Sequence, residues 1–260
     1  MTGNGGDPLT GSIDQVRLWE DRFRGERPEA VLRWALSEFR QDVALASSFS
    51  REDIVLIAMM ADIRPDARIF ALDTGRLHEE TYEAAEAMRR KMGVRIEWHF
   101  PDRAAVEEME RNKGMFFFRD NLENRHECCR IRKVEPLSRA LSGLRAWVTG
   151  QRREQAMTRR GLAVLEIDEA HGGILKLNPL ADWTEGQVKD YVRERGLPEN
   201  RLHEAGYPSI GCAPCTRPVA PGEDPRAGRW WWERPEHKEC GLHARNAGGN
   251  GHRNKGEGEE

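Results

Sequence analysis

The stretch Val43-Ala-Leu-Ala-Ser-Ser-Phe-Ser50 begins with a short apolar run, ends in small hydroxyl residues and precedes the apolar stretch Asp53–Ala61. This order predicts a buried strand, a turn and a buried helix. The stretch Arg68-Ile-Phe-Ala-Leu-Asp-Thr-Gly75 then predicts a second strand that stops at a polar turn. Short apolar strands that alternate with helices indicate an α/β fold, in which helices cover both faces of a parallel sheet.

The same alternation continues along the rest of the chain. Apolar residues at helical spacing predict helices over Asp14–Phe23, Pro28–Phe39, Glu79–Met92, Arg103–Arg111 and Thr184–Arg195. Short apolar runs predict strands over Val94–His99, Ala146–Gly150, Ala163–Ile167 and Ile174–Leu177. We therefore expect disordered, Gly-rich ends at 1–12 and 246–260, an α/β domain at 13–200, and a loop-rich segment at 201–245 packed on it.

Composition excludes several classes of protein. The 260 residues include 41 Lys and Arg against 44 Asp and Glu, and this balance argues against a general nucleic-acid binder, which would be clearly basic. No apolar run approaches the roughly 20 residues that span a bilayer. The first residues lack the charged and apolar regions of a signal peptide, so we expect a cytoplasmic protein without a membrane anchor.

Polar residues follow two of the predicted strands, at the edge where α/β sheets bind ligands. Ser47, Ser48, Phe49 and Ser50 form a turn before a helix, whose N–H groups and hydroxyls could bind a phosphate. The alternative is an ordinary helix N-cap. The segment Asp73-Thr74-Gly75-Arg76 could orient a ribose or a base and bind a phosphate or sulfate through Arg76. The alternative there is a turn that Asp and Gly stabilise.

Five cysteines form a pattern of four plus one. An odd number argues against a disulfide framework. Cys128, Cys129, Cys212 and Cys215 predict a metal site, in which zinc and an iron–sulfur cluster are the alternatives. An adjacent pair of cysteines is unusual for a zinc ribbon and favours the cluster, provided that the pair lies on a helix within 126–141. A thioredoxin-type redox pair is less well supported, because Pro214 alone does not supply that motif.

The fifth cysteine, Cys240, is surrounded by charged residues. Lys238 and two histidines can hold it as the reactive thiolate, and the alternative is a small buried apolar side chain. Basic residues also recur nearby, and paired arginines could bind a multiply charged anion. They are Arg130, Arg132 and Lys133, then Arg152, Arg153, Arg159 and Arg160, and finally Arg226 and Arg229.

Together these motifs resemble the assimilatory adenylyl-sulfate (APS) reductases of the phosphoadenylyl-sulfate (PAPS) reductase family. The resemblance runs from about Val43 to His243. It is carried by Ser47-Ser-Phe-Ser-Arg-Glu-Asp, Leu72-Asp-Thr-Gly-Arg-Leu-His, Glu127-Cys-Cys-Arg-Ile-Arg-Lys, Thr149-Gly-Gln-Arg-Arg, Gly211-Cys-Ala-Pro-Cys-Thr-Arg-Pro, Gly228-Arg-Trp-Trp-Trp-Glu and Lys238-Glu-Cys-Gly-Leu-His.

The resemblance implies a fold similar to the adenine-nucleotide alpha hydrolases and a specific assignment of residues. The four paired cysteines would hold a [4Fe–4S] cluster, and Cys240 would attack the sulfur of APS and release AMP. Thioredoxin or a glutaredoxin-type reductant would then release sulfite from the S-sulfocysteine. Lys133 would lie between cluster and substrate, Ser47–Ser50 would line the nucleotide site, and either Arg152 or Arg159 would contact the substrate. Residues implied to contact the phosphosulfate group are Arg226, Arg229 and His243.

Other functions remain open at this point. The substrate could be PAPS, or both nucleotides, although PAPS reductases of this family generally lack the cluster cysteines. An ATP-using adenylating enzyme would need a Ser-Gly-Gly-x-Asp-Ser loop, which this sequence does not contain. A zinc-stapled binding module without catalytic activity is a more distant alternative. Because family members often self-associate, a homo-oligomer is also open.

Overall fold

A computed structural model describes residues 13–156, 159–234 and 242 and contains one six-stranded sheet flanked by helices. The strands are β1 (Val43–Ser47), β2 (Arg68–Leu72), β3 (Glu97–His99), β4 (Ala146–Val148), β5 (Leu165–Asp168) and β6 (Ile174–Leu177). The helices are α1 (Ile13–Phe23), α2 (Pro28–Glu38), α3 (Arg51–Ile63), α4 (Glu79–Met92), α5 (Arg103–Lys113), α6 (Leu122–Cys129), α7 (Glu135–Leu141) and α8 (Glu185–Glu194). The predicted elements are confirmed, with bounds that shift by a few residues at most.

The central strands bury both of their faces, because successive side chains on a strand point in opposite directions. In β1, Val43 and Leu45 pack in the cluster that contains α3, whereas Ala44 packs with α7 on the other face. In β4, Val148 and Trp147 divide in the same way. Helices therefore cover both faces of the sheet, which confirms the predicted layers.

In the strand order β3-β2-β1-β4-β6-β5, the direction in which successive strands are added to the sheet reverses beside β1. From β1 the chain adds β2 and β3 on one side and then returns to place β4 on the other side. Both connections leave a crevice beyond the carboxyl ends of β1 and β4, the position where open α/β sheets bind ligands. The turn that follows Ser47 and the loop that follows Val148 lie at this crevice.

The prediction of an entirely parallel sheet needs one correction at the edge. β5 pairs with β6 antiparallel, while the other pairs are parallel. Only five residues separate the two strands (169–173), and a parallel connection would need a dozen or more. Gly172 and Gly173 adopt positive φ angles of 81° and 77° and close this tight hairpin.

Regular structure becomes sparse after α8, as predicted from about Pro198. The described part of this segment contains the short 3₁₀ turns Arg201–His203 and Ala213–Cys215 and one isolated bridge between Thr216 and Arg229. A Cβ atom on Gly228 would lie 2.2 Å from the carbonyl oxygen of Arg217, so the bridge needs glycine at this position. The division of the chain at residue 200 stays a prediction.

Among the described helices, we find none with the length and apolarity to cross a membrane.

Candidate active site

A cavity of about 400 Å³ lies at the carboxyl ends of β1, β2 and β4. Its walls come from the turn after β1, the loop after β4, the π-helical turn before α7, and the segment after α8. We call it the substrate cavity. The predicted site residues that line it are Ser47, Ser48, Phe49, Ser50, Thr74, Lys133, Arg152, Arg159, Arg226 and Arg229.

The side chains of the serine turn, Ser47–Ser50, do not act as an ordinary cap of α3. Ser50 is the N-cap residue of α3, but its side chain makes no capping hydrogen bond to the helix. The backbone N–H and the hydroxyl of Ser48 both donate to a carboxylate oxygen of Asp53, at 2.6 and 2.8 Å. The turn is thus held by a carboxylate from the helix itself, and the positive end of α3 faces the cavity.

Two features of this turn depend on close packing. Phe49 adopts a φ angle of +57°, which is unfavourable for a residue with a side chain, and its ring is buried 5.7 Å from that of Trp98. Burial raises the pKa of Asp53 to about 6, although the hydrogen bonds from Ser48 act in the opposite direction. Near neutral pH the turn is therefore organised by a carboxylate that is predominantly ionised.

The four paired cysteines meet beside the substrate cavity. Cys128 and Cys129 end α6, Cys212 precedes the 3₁₀ turn and Cys215 ends it. All four buried thiols line one small cavity, here the thiol cavity. The predicted helix for the adjacent pair is confirmed. Across the described ranges, however, no three His, Cys, Asp or Glu side chains form a group that could hold a single metal ion. The basic side chains that line this cavity are Arg76, Arg125, Arg132 and Lys133.

Burial and charge act differently on the pKa values of three of these thiols. Burial raises the pKa of Cys128 to about 11 and that of Cys215 to about 12, and neighbouring cysteines add to both shifts. Burial alone would also raise the pKa of Cys212, but the ammonium group of Lys133 and the hydroxyl of Thr74 lower it below its usual value. The Cys212 thiol lies 3.3 Å from Thr74 Oγ1. Of these three thiols, Cys212 is thus the one whose surroundings favour the thiolate.

The substrate cavity and the thiol cavity share a wall. Lys133, Cys212 and Trp230 line both. The guanidinium groups of Arg125 and Arg229 each lie 4.7 Å from the ring centroid of Trp230, one from the thiol side and one from the substrate side of this wall. The buried ring of Trp230 therefore contacts a charged group of each cavity, Arg125 in the thiol cavity and Arg229 in the substrate cavity.

Arg76 lies in a different place from the one that the sequence indicates. It lines the thiol cavity, pairs with Glu110 at 2.9 Å and donates to the carbonyl oxygen of Met115 at 2.8 Å. Asp73 accepts from the N–H of Gly75 at 2.7 Å and from the Tyr82 hydroxyl at 2.9 Å. This geometry matches the alternative of a stabilised turn, and of the four residues of this segment only Thr74 lines the substrate cavity.

Arg152 lines the substrate cavity but is engaged by protein groups. Its guanidinium pairs with Glu52 at 2.8 Å and with Glu154 at 3.3 Å, and it donates to the carbonyl oxygen of Trp183. Arg159 also lines the cavity and donates to the side chain of Gln155. Both arginines therefore lie at the cavity and contact neighbouring protein groups.

Cys240 and His243 lie outside the described residues. Leu242, between them in the sequence, lines the substrate cavity and packs in the cluster that contains Trp147.

Several cavity residues were not predicted from the sequence. Gln151 Nε2 and His203 Nε2 are buried at the substrate cavity without a hydrogen-bond partner in the described structure. His203 Nδ1 lies 2.9 Å from the carbonyl oxygen of Tyr207, which leaves Nε2 for a ligand. Gln151 belongs to the motif Thr149-Gly-Gln-Arg-Arg, which was singled out for its arginines. An argument from charge alone therefore missed the amide of Gln151.

One long-range ion pair fixes the segment that leads to Cys240. Arg125 on α6 donates to both carboxylate oxygens of Glu233 at 3.0 Å, and both side chains are buried. Arg125 stands one helical turn before Cys129, so the pair ties the end of the described segment to the helix that carries the adjacent cysteines. The sequence offers no local signal for it, because the partners are 108 residues apart.

We expect Glu233→Gln to destabilise the protein by about 3 kcal/mol, because it removes the carboxylate that pairs with the buried charge of Arg125. Urea unfolding measures the change in free energy. The matched control is Glu107→Gln, which removes the exposed Arg103–Glu107 pair and should cost less than about 0.5 kcal/mol. Equal losses from both variants would contradict the assigned role of the buried pair.

Comparisons with known proteins agree with this architecture. Residues 42–218 match the family model described as phosphoadenosine phosphosulfate reductase domain. Adenosine 5'-phosphosulfate reductase of Allochromatium vinosum is 51% identical over 203 residues, which are 78% of this chain and 79% of that protein. The crystal structure of phosphoadenylyl-sulfate (PAPS) reductase from Candida auris, a phosphate complex, is 28% identical with a TM-score of 0.69, over 79% of this chain and 98% of that one. Candida glabrata FMN adenylyltransferase, 13% identical with a TM-score of 0.51 over 89% and 80% of the two chains, shares the fold alone.

Proposed function

The chain belongs to the phosphoadenosine phosphosulfate reductase family, and on that basis we propose that it reduces adenosine 5'-phosphosulfate (APS) to sulfite and AMP in sulfate assimilation. The contact between the substrate cavity and the four buried thiols carries the proposal. PAPS is the second candidate substrate, because the family model and the Candida auris structure bear its name. APS is preferred, because the relative that is 51% identical is named for it.

The substrate cavity suits a nucleotide with a charged tail. The N-terminus of α3 lines the cavity together with the serine turn, and the positive end of this helix would bind the phosphate. Arg226, Arg229 and Lys133 bring cations to the same cavity and would bind the sulfate. Sulfur in APS is electrophilic but surrounded by anionic oxygens, so cations in a site poor in water favour attack by a thiolate.

Gly211 gives a test of the role assigned to Arg229. A Cβ atom there would lie 2.4 Å from Nη2 and 2.6 Å from Cζ of Arg229, so Gly211→Ala forces the guanidinium to move while the backbone can stay. We expect the KM for APS to rise at least about tenfold, the effect of losing a charged hydrogen bond. The control is Gly161→Ala, whose Cβ would meet no atom within 4 Å. An unchanged KM in the Gly211 variant would remove Arg229 from the site.

Cys240 is the proposed nucleophile. Its thiolate forms a bond to the sulfur of APS and breaks the sulfur–oxygen bond to the phosphate, so that AMP leaves with the electron pair. Support comes from Leu242, which lines the substrate cavity, because two residues of chain extend over about 7 Å at most. A cysteine at position 240 is thus within reach of a substrate in this cavity.

The second half of the reaction consumes a dithiol. A thiolate of the reductant attacks the Cys240 sulfur, and sulfite leaves with the electron pair of the sulfur–sulfur bond. The second thiol of the reductant then resolves the mixed disulfide and restores the Cys240 thiolate. Two electrons pass from the dithiol to the sulfonate sulfur. We propose a thioredoxin or glutaredoxin-type protein as this reductant, in the reducing cytoplasm.

The thiol cavity fits a [4Fe–4S] cluster by its donors. Four buried thiols line one cavity, and four basic side chains surround it and would balance an anionic cluster. Zinc held by the same four thiols is the alternative, and acid-labile sulfide distinguishes the two. When bound, the cluster would supply a fixed electrostatic environment at Lys133, since the electrons come from thiols.

Mass spectrometry of the intact protein tests the proposal. The protein is incubated anaerobically with APS or PAPS without any thiol. We expect a sulfo adduct on Cys240 that forms faster from APS and is discharged by thioredoxin with release of sulfite. A faster adduct from PAPS would assign the sister activity, and the absence of any adduct in protein that contains its cluster would refute the proposed reaction.

A further inference from the structure

Three large apolar side chains beside the thiol cavity are exposed to solvent. Met115, Phe116 and Trp231 are 54%, 59% and 38% exposed. The guanidinium of Arg119 links the two aromatic rings, since it lies 5.2 Å from the ring centroid of Phe116 and 5.6 Å from that of Trp231. We call Met115, Phe116, Arg119 and Trp231 the aromatic patch. Clustered aromatic and arginine side chains at a surface are typical of protein interfaces.

Buried neighbours hold the aromatic patch in place. Arg119 donates to the carbonyl oxygen of Pro214, in the turn that carries the C-x-x-C cysteines. Beneath the patch, the ring of Trp232 lies 4.7 Å from that of Trp231 and 6.1 Å from that of the buried Phe118. A surface fixed in this way loses little conformational entropy when a partner binds.

The position of the patch along the chain indicates which partner it serves. Cys240 follows Trp231 by nine residues, which extend over about 30 Å at most. Leu242, two residues further on, lines the substrate cavity. Trp231, before Cys240 in the sequence, thus lies in the patch, and Leu242, after it, lies at the cavity. A protein docked on the patch would contact the chain nine residues before Cys240.

We propose that the aromatic patch is the docking surface for the dithiol protein that discharges Cys240. The inference rests on the proposed function, because only that reaction consumes a protein dithiol next to Cys240. A second copy of this chain is the competing occupant, and the experiment below separates the two.

The test compares a protein reductant with a small one. In the full-length protein, Phe116→Ala and Trp231→Ala are assayed for sulfite release with thioredoxin kept reduced by thioredoxin reductase, and separately with dithiothreitol. We expect the KM for thioredoxin to rise at least about tenfold in each variant, as at interface hot spots. Turnover with dithiothreitol and the rate of adduct formation from APS should not change. The control is Leu18→Ala, an exposed apolar residue on α1, which packs against β5 instead.

Each other outcome would count against the inference. An unchanged KM for thioredoxin in both variants would overturn it. So would a change in oligomeric state by light scattering without a change in that KM, since the patch would then bind a second copy. Equal losses with thioredoxin and dithiothreitol would mean that the substitutions damage catalysis and not docking. Failure of the unmodified protein to form the adduct would instead refute the proposed function.

Discussion

Replacing Cys240 by serine is expected to abolish sulfite release while leaving AMP binding and bound iron unchanged. The hydroxyl of serine is a far weaker nucleophile than a thiolate, and removal of a nucleophile typically lowers turnover by a factor on the order of 10⁴ to 10⁶. None of the residues that line the two cavities in the described structure changes in this variant. Binding and catalysis should therefore separate.

Three measurements check this expectation. Sulfite release is followed with APS and thioredoxin, AMP affinity by calorimetry, and iron by elemental analysis, each on Cys240→Ser beside the unmodified protein. Appreciable turnover in the variant would refute the mechanism. Loss of iron together with activity would show that Cys240 contributes to the metal site, which the four-plus-one assignment excludes.

Replacing Cys212 by serine should have the opposite effect on bound iron. Cys212 lies at the wall between the two cavities, and its thiol contacts Thr74 and the charge of Lys133. We expect iron and sulfide to be lost together, and the loop-rich segment to lose its main anchor, at a cost of several kcal/mol in unfolding free energy. Activity should fall as a consequence.

Iron, acid-labile sulfide and urea unfolding measure this effect, so the result does not depend on activity. Cys240→Ser is the matched control, because it removes a cysteine and should keep both iron and stability. A Cys212→Ser protein that stays fully active without iron would contradict the cluster assignment. Zinc without sulfide in the unmodified protein would assign the site to a structural zinc ion.

The order of the elements and the edge that binds ligands could be predicted from the sequence. Alternation of apolar strands with helices fixes a sheet covered on two faces, and the carboxyl ends of its parallel strands meet at one edge. Ser48 and Thr74, which follow two neighbouring strands, therefore line one cavity. The spacing of the cysteines likewise predicted that four thiols share one site. The two pairs stand 83 residues apart (212 − 129), so it is the fold that brings them together.

What each basic residue does was decided by the tertiary structure alone. Arg76 and Arg152 follow strand ends, as an anion-binding residue would, but Glu110 and Glu52 pair with them from 34 and 100 residues away. The same holds for Arg125 and Glu233. A local sequence motif specifies the position of an arginine on the backbone. The partner of its guanidinium group is set by distant segments that the fold brings within hydrogen-bonding distance. Since a buried charge must be paired, those distant carboxylates determine which arginines remain to bind a substrate.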